Sequence, residues 1–213
     1  MVIKTKNIIP KPISESGAPD SDIWFKDLEL ISGNKYLITS ESGAGKTSFL
    51  SILYGVRKDY LGEILFDNVN IKHLNINEWT KFRNYNLSYV FQGLRLFDDL
   101  SALDNILLKN KLTKYKSKKE ILDLIDKVGL SQKINSQVKY LSFGQKQRLA
   151  IIRALCQPLN FLFLDEPFSH LDEKNIKIIT EIINSELEIQ NAGLVLTSLG
   201  NEYLFSYDKK LNL

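Results

Sequence analysis

The chain has 213 residues, of which 44% are hydrophobic, with 28 basic against 25 acidic residues and a formal net charge of +3. That length holds one large domain or two small ones around a buried core, and the near balance of charge gives no bulk case for binding nucleic acid or anionic lipid. No stretch approaches the ~20 consecutive apolar residues of a spanning helix, and the start Met1-Val2-Ile3-Lys4 lacks the apolar core of a leader. The one cysteine, Cys156, excludes an internal disulfide; it falls in an apolar helical pattern with Leu149, Ile152 and Leu155, which suits a packing role in a reducing compartment. A cytoplasmic location is therefore expected.

In chain order, residues 2–9 read as a strand followed by a turn through Pro10, Pro12, Gly17 and Pro19. Strands are predicted next at 23–30 and 36–39, with Gly33 between them. The second runs into Ser40-Glu41-Ser42-Gly43-Ala44-Gly45-Lys46-Thr47, after which 47–54 shows helical spacing at Phe49, Leu50, Ile52 and Leu53, closed by Gly55. Strand, glycine loop and helix in that order let backbone N–H groups from Gly43 to Thr47 converge on phosphate oxygens at the positive end of a helix dipole.

Further strands are predicted at 64–66 and 87–91, with a helix at 77–82 between them. Residues 92–140 turn helical. Ser101 with Asp104 and Ser117 with Glu120 read as capping boxes, and Ile121, Leu124, Ile125 and Val128 form one face that ends at Gly129. The lysine-rich tract at 109–119 reads as a solvated helix connection, with anionic headgroups or an acidic partner loop as the alternative. A strand at 161–164, a helix at 173–188 with Ile176, Ile179, Ile183 and Leu187 on one side, a strand at 194–197 and closing strands at 203–207 and 210–213 complete the pattern. It predicts an α/β core with a covered, mostly parallel sheet and a helical insertion.

The chemistry follows from the residue types. Lys46 reaches β and γ phosphates and the Thr47 hydroxyl ligates Mg²⁺. Asp165, ending an apolar strand, holds the same ion through water, and Glu166 polarises the attacking water. The plainer reading of Asp165-Glu166 is a solvated pair that closes a strand.

Leu141-Ser142-Phe143-Gly144-Gln145 is similar to the signature motif of ATP-binding cassettes, Tyr89-Val90-Phe91-Gln92 to their glutamine loop, and Ser169-His170-Leu171-Asp172 to their dimer-contact loop. With the phosphate loop upstream, the chain resembles the nucleotide-binding subunit of an ATP-binding cassette transporter over nearly its whole length. The resemblance implies a P-loop NTPase core, mostly parallel with helices on both faces, an antiparallel β subdomain and an inserted helical subdomain. Residues 1–213 would be a single domain, with 1–91 and 146–213 as core and β subdomain and 92–145 as the helical part.

It implies ATP and Mg²⁺ as cofactors. Ser40, Glu41, Ser42, Gly43, Ala44, Gly45, Lys46, Thr47 and Ser48 would bind the nucleotide, joined by Ser142, Gly144 and Gln145. Thr47, Gln92 and Asp165 would serve the metal, and Glu166, Gln92 and Ser198 catalysis. Asp172 would be the carboxylate of the dimer contact, where Ser169 capping a helix with Asp172 is a compatible plain reading; His170 reads as a surface filler. A second copy or a related cassette would complete a head-to-tail dimer. Integral membrane subunits would place a coupling helix in the groove formed by the glutamine loop and residues 94–107, with Phe97, Leu100 and Leu103 as lining, and so hold the chain on the inner face of the cell membrane. The tract at 82–106 is similar to the lipoprotein-release, macrolide-export and cell-division subgroup.

Four features depart from the family's pattern. Ser40 replaces the first loop glycine, which costs little if its φ stays negative. Phe143 stands for a glycine, Ser198 for a γ-phosphate-contacting histidine, and the first strand has no aromatic to stack on adenine; Trp24, in the next predicted strand, reads as packing. The segment after Ser198 also lacks the family's intervening helix. Two functions are open at this point: a working ATPase that powers an envelope transporter or mechanotransmission complex through ATP-driven dimer closure, or a nucleotide-gated regulatory cassette slowed by Ser198 and Phe143. A DNA-handling ATPase of this fold needs a long coiled coil or a second cassette, so no nucleic-acid partner is expected.

Overall fold

The computed structural model describes residues 1–17, 20–41 and 43–213, so Pro19 and Ser42 lie outside the described residues. The elements run β1 (Val2–Pro10), α1 (Lys11–Ser16), β2 (Leu28–Ile31), β3 (Lys35–Thr39), α2 (Lys46–Leu53), β4 (Tyr60–Phe66), β5 (Val69–Asn70), α3 (Ile76–Tyr85), β6 (Leu87–Val90), α4 (Ala102–Asn110), α5 (Lys118–Lys127), α6 (Phe143–Leu155), β7 (Phe161–Asp165), α7 (Glu173–Gln190), β8 (Gly193–Ser198) and β9 (Lys209–Asn212). They form a five-stranded sheet in the order β6-β7-β8-β3-β9 and a four-stranded sheet in the order β2-β1-β4-β5. Every pair in the first is parallel and every pair in the second antiparallel.

Strand β7 shows why the parallel sheet reads as an unbroken apolar run. Its side chains alternate between two cores: Phe161 and Phe163 pack with Phe49, Leu50 and the antiparallel sheet, while Leu162 and Leu164 pack with Leu149 and Ile152 of α6 and Ile183 of α7. Both faces are covered, so β7 is apolar as far as Asp165, and polar residues that neighbouring strands bury, such as Ser88 and Thr197, are hydrogen-bonded. The predicted α/β core and covered sheet are what the chain builds, with α2 on one face and α6 and α7 on the other.

Residues 92–142 leave this sheet after β6 and return at α6. Ile106, Ile121, Ile125, Val128 and Val138 from that stretch share a core with α6 and α7. The Ser117–Glu120 capping box is complete, but Ser101 only accepts from the Asp104 N–H while donating to the Asp104 carboxylate at 2.6 Å, so that cap is not reciprocal. The 109–119 tract is not wholly solvated. Lys116 is half-buried with its side chain 9% exposed, pairing with Glu186 of α7 at 2.8 Å, and Tyr115 donates to the same carboxylate at 2.7 Å.

Three predicted segments differ. The turn after β1 is a short helix, because Pro12 in the first turn loses no intrahelical hydrogen bond there. Residues 23–27 are not strand: the Ser21 hydroxyl accepts the N–H groups of Ile23 and Trp24 at 3.0 and 2.7 Å, and Phe25 has φ 56°, so strand pairing starts only at Leu28. Residues 203–207 are not strand: Tyr203 and Leu204 form a turn, with Tyr203 at φ 54° and its ring packed 4.6 Å from that of Phe168, and 205–207 are irregular, so the closing strand is β9 alone. Cys156 is fully buried, and burial pushes its thiol up to about 12, which fits packing. Among the described residues no helix is long and apolar enough to cross a membrane.

Candidate functional site

The loop after β3 turns into α2 through Gly45, whose φ is 109° and behind which a Cβ would meet Ile13 at 2.9 Å and Trp24 at 3.0 Å. Only glycine fits both the left-handed backbone and that space. No side chain caps α2, so its first N–H groups face the loop's concavity. Trp24 supports the loop from beneath: it is buried, packs edge-on against Phe49 and donates its indole N–H to the Ala44 carbonyl at 3.4 Å.

Gly43, Gly45, Lys46, Thr47, Ser48, Gln92 and Glu166 line one cleft of about 200 Å³. Lys46, only 5% exposed, donates to the carbonyls of Ser40 and Glu41 at 2.9 and 3.0 Å and to the Ser40 hydroxyl at 3.1 Å, and lies 3.7 Å from the Glu166 carboxylate. Ser40 has no positive φ, so serine in place of glycine carries no backbone strain; its hydroxyl adds an acceptor for the lysine. Gln92 stands at the mouth with its amide nitrogen 3.5 Å from Glu166. The Ser48 hydroxyl accepts from Arg57 at 2.6 Å. Ser42 is outside the described residues.

Asp165 lies one residue behind this cleft. Its carboxylate is 1% exposed and accepts from Thr197 at 2.8 Å and from the Tyr89 hydroxyl at 3.3 Å. Burial first and the Asp165 charge second push the Tyr89 phenol well above its ordinary range, so it remains a donor. Glu166 has φ 48°, a left-handed conformation that turns its side chain out of β7 toward Lys46, and its N–H donates to the Thr197 carbonyl at 3.2 Å. The solvated-pair reading of Asp165-Glu166 does not describe this geometry.

The sequence shows Tyr89 only as the start of the glutamine-loop motif and Thr197 only as a strand end, not as partners of Asp165, and it gives no role to Arg153, whose guanidinium donates to the carbonyls of Leu94 and Arg95 at 2.8 and 2.6 Å. Leu94 and Arg95 both have positive φ, so Arg153 ties down the kink that follows Gln92. An Arg among the apolar residues at the end of α6 and a Thr at a strand end are the signals available.

The signature residues sit elsewhere. None of Ser142, Gly144 or Gln145 lines the cleft, and neither does Ser198. Ser142 caps α6 in a full capping box with Gln145, and Phe143 places its ring 4.4 Å from that of His170. Gly144 allows the close approach of the 169–172 loop, since a Cβ would meet the His170 carbonyl at 3.0 Å. Asp172, not Ser169, caps α7; the bond from the Asn175 N–H holds its carboxyl below the ordinary range. Ser198 ends β8 beside Thr39, fully buried, its hydroxyl without a hydrogen-bond partner among the described residues.

The cleft fits a magnesium-bound polyphosphate. Uncapped N–H groups and a buried cation suit phosphate oxygens, and Thr47, Gln92 and Glu166 present hard oxygen donors. Among the described residues no three His, Cys, Asp or Glu side chains cluster, so phosphate and water would complete the metal's shell, as Mg²⁺ prefers.

Residues 26–169 match the family model described as ABC transporter. The chain is 39% identical over 159 residues to the lipoprotein-releasing system ATP-binding protein LolD of Buchnera aphidicola subsp. Schizaphis graminum, spanning 73% of this chain and 69% of that protein. To LolD of Buchnera aphidicola subsp. Acyrthosiphon pisum it is 32% identical over 202 residues, or 90% and 88% of the two. The dimeric ATP-binding cassette MJ0796, in a post-hydrolysis state bound to ADP and Pi, superposes with a TM-score of 0.75 at 27% identity over 92% of this chain and 87% of that one. A nucleotide cleft with this donor set, on this sheet, in a chain with these relatives leads to one assignment: the chain belongs to the ABC transporter family, as an ATP-binding, ATP-hydrolysing subunit that uses Mg²⁺.

Proposed function

We propose that the chain powers an envelope transporter of the lipoprotein-releasing kind, acting as a dimer on integral membrane subunits at the inner face of the cell membrane. Residues 1–213 work as one domain, with 92–145 moving as a lobe against the core formed by 1–91 and 146–213. The observation that carries this reading is that Lys46, Thr47, Gln92 and Glu166, from separate parts of the chain, line a single cleft.

Lys46 exchanges its loop carbonyl partners for β and γ phosphate oxygens, and the α2 N–H groups take the rest of the phosphate charge. Mg²⁺, when bound, would supply charge neutralisation at the phosphates. Thr47 offers its hydroxyl to the metal, while Asp165, oriented by Thr197 and Tyr89, is held to the site from behind. Glu166 orients the attacking water and takes its proton. Gln92, in reach of Glu166 and at the start of the helical lobe, links the state of the cleft to the lobe's position. Ser142, Gly144 and Gln145 lie outside their own chain's cleft and serve the nucleotide held by the second subunit; Ser198 contributes at most one hydrogen bond. The groove beside the glutamine loop receives the membrane subunit. Ser198 does not line the cleft, and Phe143, set between Ser142 and Gly144, would act only on the nucleotide of the second subunit, so nothing in this chain's own cleft favours a slow regulatory cassette.

The test is Glu166→Gln in the complex reconstituted with its membrane subunits. Phosphate release should fall by about 10²–10⁴-fold with ATP binding retained; activity that survives the change removes Glu166 from this role.

A further inference from the structure

Arg57 does not line the phosphate cleft, yet it holds one side chain of the cleft's wall. Ser48, in the first turn of α2, lines the cleft, and the Arg57 guanidinium donates to its hydroxyl at 2.6 Å. The turn that closes α2 builds this reach. Gly55 takes φ 71° beneath the Trp79 ring, where no Cβ would fit, and the N–H groups of Val56 and Arg57 both donate to the Ser51 carbonyl, at 2.9 and 3.1 Å. The chain thus folds back beside α2, and the Arg57 side chain runs toward the start of the helix.

The guanidinium is fixed from a second side. Its Nε and Nη2 donate to the two oxygens of Asp59 at 2.7 and 2.9 Å, a planar fork, and the Asp59 carbonyl accepts from the Lys11 N–H at 3.0 Å. The fork holds the Asp59 carboxyl below its ordinary range, so both groups stay charged and the pair brings little net charge to the cleft. Arg57 therefore supplies direction. A serine hydroxyl has one proton and two lone pairs; with a lone pair taken by a charged donor, the proton points elsewhere, and among the described residues no acceptor takes it.

We propose that Arg57 is a positioning residue for nucleotide binding: held by Asp59, it turns the Ser48 hydroxyl to donate to a phosphate oxygen of bound ATP. This rests on the reading that the phosphates lie in this cleft. Among the described residues neither Ser48 nor Arg57 bonds Glu166 or Gln92, so the contact serves binding and not the attack of water.

The experiment is calorimetric titration of the purified cassette with ATP and Mg²⁺, in a cycle of Ser48→Ala, Arg57→Met and the double variant. Each single change should weaken ATP binding by about tenfold, and the double change no more than Ser48→Ala alone, because Arg57 acts through that hydroxyl. Additive losses would overturn the proposal, since an arginine that only braces the turn costs the same with or without the hydroxyl. An Arg57→Met cassette that binds ATP within twofold of the parent would overturn it too. Asp59→Ala releases the fork and should weaken binding; tighter binding would make Arg57 a source of charge and not of direction. In phosphate release by the reconstituted complex the Arg57→Met loss should fall on KM more than on kcat, and a loss confined to kcat would refute the binding role. Lys46→Ala, titrated alongside, separates the two readings: an affinity within threefold of the parent there takes the phosphates out of the cleft and this inference with them, whereas additivity at Ser48 and Arg57 with a Lys46-dependent affinity removes this inference alone.

Discussion

At the phosphate-loop end of the nucleotide machinery, polar side chains converge across the fold. Lys46 of α2 lies against Glu166 after β7, Gln92 after β6 reaches the same carboxylate, and Asp165 is held by Thr197 of β8 and Tyr89 of β6. At the signature end each polar group is used locally: Ser142 and Gln145 cap their own helix and Asp172 caps the next. One end is assembled by the parallel sheet, which brings the ends of β3, β6, β7 and β8 side by side. The other offers a helix N-terminus on the surface, a feature that gains an anionic ligand only when a second molecule brings one. On the proposed function, the contrast gives a physical reason why one chain would complete only half of each site.

The largest effect that would break this comparison is expected at Lys46. Lys46→Ala removes the cation and leaves Glu166 without its ion pair in a partly buried cleft, so ATP affinity should fall by about a hundredfold or more. Isothermal titration calorimetry with ATP and Mg²⁺ measures it, and an affinity within threefold of the parent would mean that the loop's backbone alone holds the phosphates. Next in size is Thr197→Val, which is nearly isosteric and takes one of two donors from a buried carboxylate. Turnover should fall about tenfold, and stability by about 1–3 kcal/mol in urea unfolding. Equal turnover would show that Tyr89 suffices to orient Asp165.

The phosphate-loop end was also the more legible in the sequence. Gly43 to Thr47 and the run into Asp165-Glu166 name their roles because each function there demands a residue type at a fixed place on a strand end or helix start. What the sequence hid was support. Nothing in the pattern around Tyr89 or Thr197 marks them as partners of Asp165, since their contacts come from strand neighbours that only the sheet order reveals. The misread segments share another cause. Residues 23–27 and 203–207 have strand-like composition, but Phe25 and Tyr203 take left-handed φ and the Ser21 hydroxyl captures two N–H groups, so side-chain hydrogen bonding and tertiary packing override β propensity. The ring of Tyr203 finds Phe168 and not a neighbouring strand.

The smallest expected effect is at Ser198, which lies beside Thr39 at the phosphate-loop end but does not line the cleft. A fully buried hydroxyl with no partner among the described residues has lost water without replacing it, so Ser198→Ala removes a cost and should leave stability unchanged or raise it by up to about 1 kcal/mol. Since Ser198 does not line the cleft, phosphate release in the reconstituted complex should change by less than about threefold. Ser198→His, by contrast, inserts a ring where no space exists and should destabilise by about 1–3 kcal/mol without raising turnover. A tenfold loss of turnover in Ser198→Ala at unchanged stability would instead mean that β8 shifts during the cycle to bring this hydroxyl to the γ-phosphate, adding one more strand end to the half of the site that this chain builds.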